Sequence, residues 1–251
     1  MQMTAMTKET ANNLIKIGIG SPSVEEMARA GVHLGHRTTK WNPKMEPYIF
    51  GVKNTVHIVN LEKTVEELKK AMEFLKGIAA RGGNILLVGT SPAAKSVVSE
   101  AAALTQMPSV ADRWLGGTLT NFKIINKRLE YFRELERKRD AGELKKYTKK
   151  EQHDFDEEIK KLQKKFGGIK HLKKLPEAVF ILDPRKNDLA MKEAKMAKIP
   201  VVAICDTNSL VNPSEIDFPI PANDDAVSSI ALIASYIVGA INDGRKSIKT
   251  E

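Results

Sequence analysis

The sequence predicts an α/β fold: a Rossmann-like (flavodoxin-like) parallel sheet flanked by helices, with an inserted antiparallel two-helix coiled-coil hairpin. Three observations carry this expectation. Short, β-branched apolar runs alternate with amphipathic stretches over most of the 251 residues, as expected for parallel strands buried on both faces. The rhythm breaks between the second and third strand–helix units, where two narrow apolar stripes replace it. The break also holds most of the charge. Residues 119–175 carry 18 Lys and Arg against 10 Asp and Glu, which is +8 of the formal +9 of the whole chain.

Taken in order, residues 55–59 (Thr-Val-His-Ile-Val) read as the first strand. A helix follows over 62–80, with Val65, Leu68, Met72 and Leu75 on one face. Arg81-Gly82-Gly83 ends it, and residues 85–88 (Ile-Leu-Leu-Val) form the next strand. Pro92 falls in the first turn of a further helix, where no backbone N–H is needed. Beyond the break come a strand at 178–182, a helix over 185–198, a strand at 201–205 and a closing helix over 224–242. No internal repeat or low-complexity linker interrupts them.

Within the break, Phe122, Ile125, Leu129 and Phe132 recur at three- and four-residue steps, and Phe155, Ile159, Leu162, Phe166 and Ile169 do so on the return. Stripes this narrow suit two helices packed only on each other. Asp140-Ala141-Gly142 supplies the turn and Gly167-Gly168 ends the returning arm. Solubility alone would be served by mixed charge. A one-sign excess on the outer faces points to a polyanion, expected to be RNA.

Composition excludes several classes. With 42% apolar residues the chain can bury a sizeable core. Its one cysteine, Cys205, rules out an internal disulfide or a cysteine-based zinc cage and reads as a buried, inert thiol. No span reads as a membrane helix and no signal-peptide core is visible, so a cytoplasmic protein is expected, with residues 1–22 as a mobile N-terminal extension.

Enzyme-like features are weak. Val88-Gly89-Thr90-Ser91-Pro92 sits where a strand hands over to a helix and could hold a phosphate. It lacks both the three-glycine dinucleotide pattern and a Walker ending, and reads more simply as a turn. Asp183 and Asp206 each follow a strand, where α/β enzymes place carboxylates, yet no histidine or cysteine pattern supplies a partner. His33 and His36 could share a metal, though no matching ligand pair is near in sequence. Arg37, Trp41, Asn42 and Lys44 suit phosphate contact plus stacking on a base, and Trp41 suits a core anchor equally well. Arg113 and Trp114 could stack on RNA or brace the exit into the hairpin, which Gly116-Gly117 would allow to turn sharply.

Several of these stretches resemble the bacterial small-subunit ribosomal protein two family. They are Ala30-Gly31-Val32-His33-Leu34-Gly35-His36, Trp41-Asn42-Pro43-Lys44-Met45, Tyr48-Ile49-Phe50-Gly51 and Val56-His57-Ile58-Val59-Asn60-Leu61-Glu62-Lys63-Thr64. Further on come Arg113-Trp114-Leu115-Gly116-Gly117-Thr118-Leu119-Thr120-Asn121, Phe166-Gly167-Gly168-Ile169, Cys205-Asp206-Thr207-Asn208-Ser209 and Ile220-Pro221-Ala222-Asn223-Asp224-Asp225-Ala226. The likeness runs over about 23–246. It departs from the family in the longer extension before Ser23, in Ala222 where glycine is common, and in a longer loop at 210–213.

The resemblance implies an α/β domain formed by 23–118 and 176–246, with the coiled-coil hairpin inserted at 119–175. It implies binding to small-subunit ribosomal RNA and help in holding small-subunit ribosomal protein one, with no cofactor, no small-molecule substrate, no membrane and no catalysis. The residues expected to meet RNA are Lys123, Lys127, Arg128, Arg133 and Arg137 on the hairpin, then Arg37, Trp41, Lys44, Arg113 and Trp114. His33, His36, Asn42 and Asn121 complete the set from the same motifs. A nucleotide-binding α/β enzyme using Gly89-Thr90, or the vicinity of Asp183 and Asp206, is the alternative.

Overall fold

The computed structural model describes residues 21–209 and 216–248. The expected extension, apart from its last two residues, and the expected loop at 210–213 lie outside the described residues. A short helix α1 (Val24–Arg29) leads into β1 (Leu34–Arg37), β2 (Ile49–Lys53) and β3 (Val56–Val59), which pair antiparallel in the order β1-β3-β2. This corrects one expectation. The strand at 55–59 does not open the parallel sheet but sits at the centre of a separate antiparallel one. Thr55 itself is in a turn, with φ of +64°.

The parallel sheet begins after α2 (Leu61–Ala80), with β4 (Ile85–Val88), α3 (Pro92–Thr105) and β5 (Ser109–Val110). Pro92 opens α3 as expected, and the Ser91 hydroxyl caps it by accepting the Ala94 N–H at 3.1 Å. Then come α4 (Phe122–Asp140), α5 (Lys149–Phe166), β6 (Ala178–Ile181), α6 (Asp188–Met196), β7 (Val201–Cys205), β8 (Phe218–Pro221) and α7 (Val227–Ile248). The five strands stand in the order β5-β4-β6-β7-β8, every pair parallel. Counted within the sheet this is 2-1-3-4-5, the flavodoxin-like order, with its switch point between β4 and β6. The edge strand β8 contains Pro219 and Pro221, which an edge position tolerates.

The sheet divides the core by residue parity. Ile85, Leu87, Phe180, Val202 and Ile204 face α2, α3 and α7 in one cluster. Leu86, Val88, Val179, Ile181, Val201 and Ala203 face the other way, as the two-residue period of a strand requires. Cys205 is fully buried on that second face, and burial pushes its thiol well above its ordinary range.

The second cluster corrects another expectation. Ile125, Leu129, Phe132 and Leu135 of α4, with Ile159 and Phe166 of α5, are buried in the same continuous cluster as the sheet face. The stripes are therefore not packed on each other alone but are rooted in the core. The capping box of Thr148 and Glu151 starts α5, and Tyr131 Oη meets Glu158 at 3.0 Å between the two helices.

A third correction concerns α7. Its residues Val227–Ser247 are long and apolar enough to cross a membrane, but 67% of their 18-residue apolar window is buried inside the fold. It is the main core helix of the first sheet face. Ala222, which stands where glycine is common, is buried in that cluster and is not among the residues with positive φ.

Candidate nucleic-acid interface

The junction into α4 is organised by a residue that sequence reading did not single out. Gly117 takes a φ of +86°, a region costly to residues with a Cβ, so the chain reverses there and turns three N–H groups inward, while that of Thr118 goes to the Leu115 carbonyl. Glu193 of α6 receives them. Its carboxylate accepts the N–H of Gly117 at 2.8 Å, of Leu119 at 2.9 Å and of Thr120 at 3.3 Å, plus the indole N–H of Trp114 at 3.1 Å. Glu193 is 4% exposed. Burial alone would raise its pKa, but these donors outweigh it and hold the carboxyl below the usual range.

This arrangement decides the position of Trp114. At 7% exposure and with its N–H engaged, it braces the exit to the hairpin and offers no open face for stacking on RNA. Arg113 beside it is exposed, as is Asn121, whose side chain does not cap α4.

On the hairpin, Lys123, Lys127 and Arg128 are exposed and, among the described residues, form no ion pair. Lys123 and Lys127 are one helical turn apart and share a face. The other two expected cations are already engaged. Arg133 donates to the Lys170 carbonyl at 2.8 Å. Arg137 is held between Glu134 at 2.9 Å and Glu143 at 2.8 Å.

The N-terminal motif forms a separate locus. Arg37 and Lys44 are exposed. Trp41 lies against the buried His57, ring centroids 5.0 Å apart, so one face is occupied inside the fold. Asn42 is structural: it caps the following turn by accepting the Lys44 N–H at 3.1 Å and donates to the Ser209 carbonyl at 2.7 Å. His33 and His36 do not act together. His33 Nδ1 is buried without a hydrogen-bond partner. His36 stands between Asp206 and Asp225, each 3.1 Å from one ring nitrogen. The Asp206 carboxylate pushes its imidazole above the ordinary value, against the opposing effect of burial. Asp224 nearby is pushed up to about 7 by burial and then by Asp206 and Asp225.

Comparison with known proteins supplies the family. The sequence matches the family described as ribosomal protein S2 over residues 27–244. It is 48% identical over 223 residues to the small ribosomal subunit protein uS2 of Roseiflexus castenholzii, covering 89% of this chain and 84% of that protein. The chain belongs to the ribosomal protein S2 family. It is thus a structural protein of the small ribosomal subunit and not an enzyme.

The sheet shows how an S2-family chain differs from the nucleotide-binding proteins it resembles in topology. Open α/β sheets bind ligands in the crevice at the switch point, here between the ends of β4 and β6. In this S2-family protein a cleft of about 550 Å³ stays open there, lined by Ser91, Asp183, Arg185, Lys186 and Asn208, but its phosphate-cradling donors are already taken. Asp183, following β6, accepts the N–H of Ser91 at 2.6 Å and of Thr90 at 3.4 Å, the donors that would otherwise cradle a phosphate. Asn187 donates to the same carboxylate. Asp183, its carboxyl pushed up by burial against these hydrogen bonds, thus occupies the Gly89-Thr90 turn from within, and the family match excludes the enzyme reading.

Both Asp183 and Glu193 are buried carboxylates that collect backbone N–H groups from a distant loop. Position after a strand marked Asp183 as notable, though with the wrong role open to it. Nothing local marks Glu193, a charged residue within an amphipathic helix.

Proposed function

We propose that this chain binds small-subunit ribosomal RNA through the exposed cations of the 119–175 insertion. We further propose that the insertion acts as an antiparallel coiled-coil arm, and that the protein helps anchor ribosomal protein one on cytoplasmic ribosomes. The observation that carries the reading is the rigid seat of the basic helix. Lys123, Lys127 and Arg128 project from α4, whose opposite face is buried in the sheet's own core and whose entry is fixed by Glu193. Cations pre-positioned in this way neutralise phosphates and release counterions without the cost of ordering the backbone, giving shape-dependent rather than base-dependent recognition.

Arg37, Lys44 and Arg113, all exposed, supply secondary phosphate contacts. His33, His36, Trp41, Asn42 and Trp114 serve the fold around them. Sedimentation with small subunits stripped of this protein tests the reading. Co-sedimentation at moderate salt and release at high salt are expected, and failure to associate at any salt contradicts it.

A further inference from the structure

Two basic clefts meet at the end of α5. One, of 660 Å³, is lined by Arg139, Lys160, Lys164, Lys170 and His171, with Glu136 as its carboxylate. The other, of 180 Å³, lies beside β5 and is lined by Arg113, Lys164, Lys165 and Asp112. Gln163, Lys164 and Gly167 belong to both walls, so the two openings adjoin on either side of Lys164.

The acidic groups in these clefts are already matched. Glu136 is paired with Lys170, and Asp112 with Lys95 from outside the clefts. Lys160 is paired with Glu157 at 2.9 Å and Arg139 with Asp140 at 3.0 Å. Arg113, Lys164 and Lys165 remain, and among the described residues none of them has an ion-pair partner. Cations held close without counter-charge repel one another and favour an anion between them.

The fold holds them close by a backbone contact. A Cβ on Gly168 would lie 2.1 Å from the Ser109 carbonyl oxygen, so only glycine lets the turn after α5 rest directly on β5. Ile169 and Leu172 then bury the same turn in the core. The floor between the clefts is therefore rigid.

We propose that an RNA backbone crosses this junction, with successive phosphates seated on Arg113, Lys164 and Lys165. Two adjoining openings that share one lysine suit a chain of anions better than a single phosphate. The inference rests on the RNA-binding reading above, but places a contact on the returning helix and the sheet edge and not on α4.

The test is filter binding of the full chain to small-subunit ribosomal RNA across a salt series. Lys164→Gln with Lys165→Gln should weaken binding about tenfold near 0.1 M salt and lower the log–log salt slope by about 2. Lys149→Gln with Lys150→Gln removes the same charge at the other end of α5 and should cost markedly less. All four lysines are exposed, so folding is spared. Equal losses from the two pairs, or no loss from the first, overturn the junction site while leaving RNA binding in place. A wild-type chain that does not bind this RNA overturns the broader reading, and the junction site with it.

Discussion

The indole N–H of Trp114 donates to Glu193 Oε1 at 3.1 Å, joining the exit from the parallel sheet to a helix 79 residues further along the chain. The same carboxylate also holds the N–H groups of Gly117, Leu119 and Thr120. One buried charge therefore sets the angle at which the basic helix leaves the fold.

Glu193→Gln should cost roughly 2–3 kcal/mol near neutral pH, because hydrogen bonds to a charged acceptor are the strong ones and an amide can accept at only one atom. The pH dependence has a defined sign. The carboxyl is held below its ordinary value in the fold, so its stabilisation is present above the unfolded pKa of about 4.3 and is lost as pH falls through the folded one. Denaturant titrations of the two proteins should converge as pH drops below about 4. A gap that stays constant down to strongly acid pH contradicts the assignment.

Asp183→Ala should expose the N–H groups of Thr90 and Ser91, which the wild-type carboxylate occupies. Stability should fall by about 2 kcal/mol through unsatisfied donors. Millimolar sulfate or phosphate should then restore part of the melting temperature in the variant and not in the wild type. Equal response of both proteins to the anion contradicts the occupation of these donors by Asp183.

Leu129→Ala should cost about 2–5 kcal/mol, since Leu129 is fully buried. Because its cluster includes the sheet face, helix loss by circular dichroism and the fluorescence of Trp114, read in a Trp41→Phe background, should follow one transition. A hairpin that melts first, with the sheet intact, would restore the picture of two helices packed only on each other.

His57 is buried against Trp41 with neither ring nitrogen hydrogen-bonded. His57→Phe keeps the ring contact and removes the unsatisfied polar atoms, so stability should be unchanged or higher by about 1 kcal/mol. A clear loss in chemical denaturation shows that the imidazole has a favourable role here.

Much of the fold is legible in the sequence where burial is complete. The strands β4, β6 and β7 are buried on both faces and read as unbroken apolar runs. The two-residue β5 and the proline-containing β8 carry no such signal. The segment at Val56–Val59 looks like any strand, and only its partners, Leu34–Arg37 and Ile49–Lys53, place it in the antiparallel sheet. The stripes of α4 and α5 announce helices but not what those helices pack on.

Of the expected interface residues, charge and exposure could be read for Lys123, Lys127 and Arg128. The internal partners of Trp114, Arg133 and Arg137 could not, because each depends on a neighbour brought in by the fold.

The proposed binding of ribosomal RNA rests on the cations of α4. The most direct measurement is the salt dependence of affinity for small-subunit ribosomal RNA, comparing wild type with Lys123→Gln, Lys127→Gln and Arg128→Gln combined. Binding should weaken and the log–log slope should fall by about 3, roughly one per lost phosphate contact. An unchanged slope and affinity would contradict it.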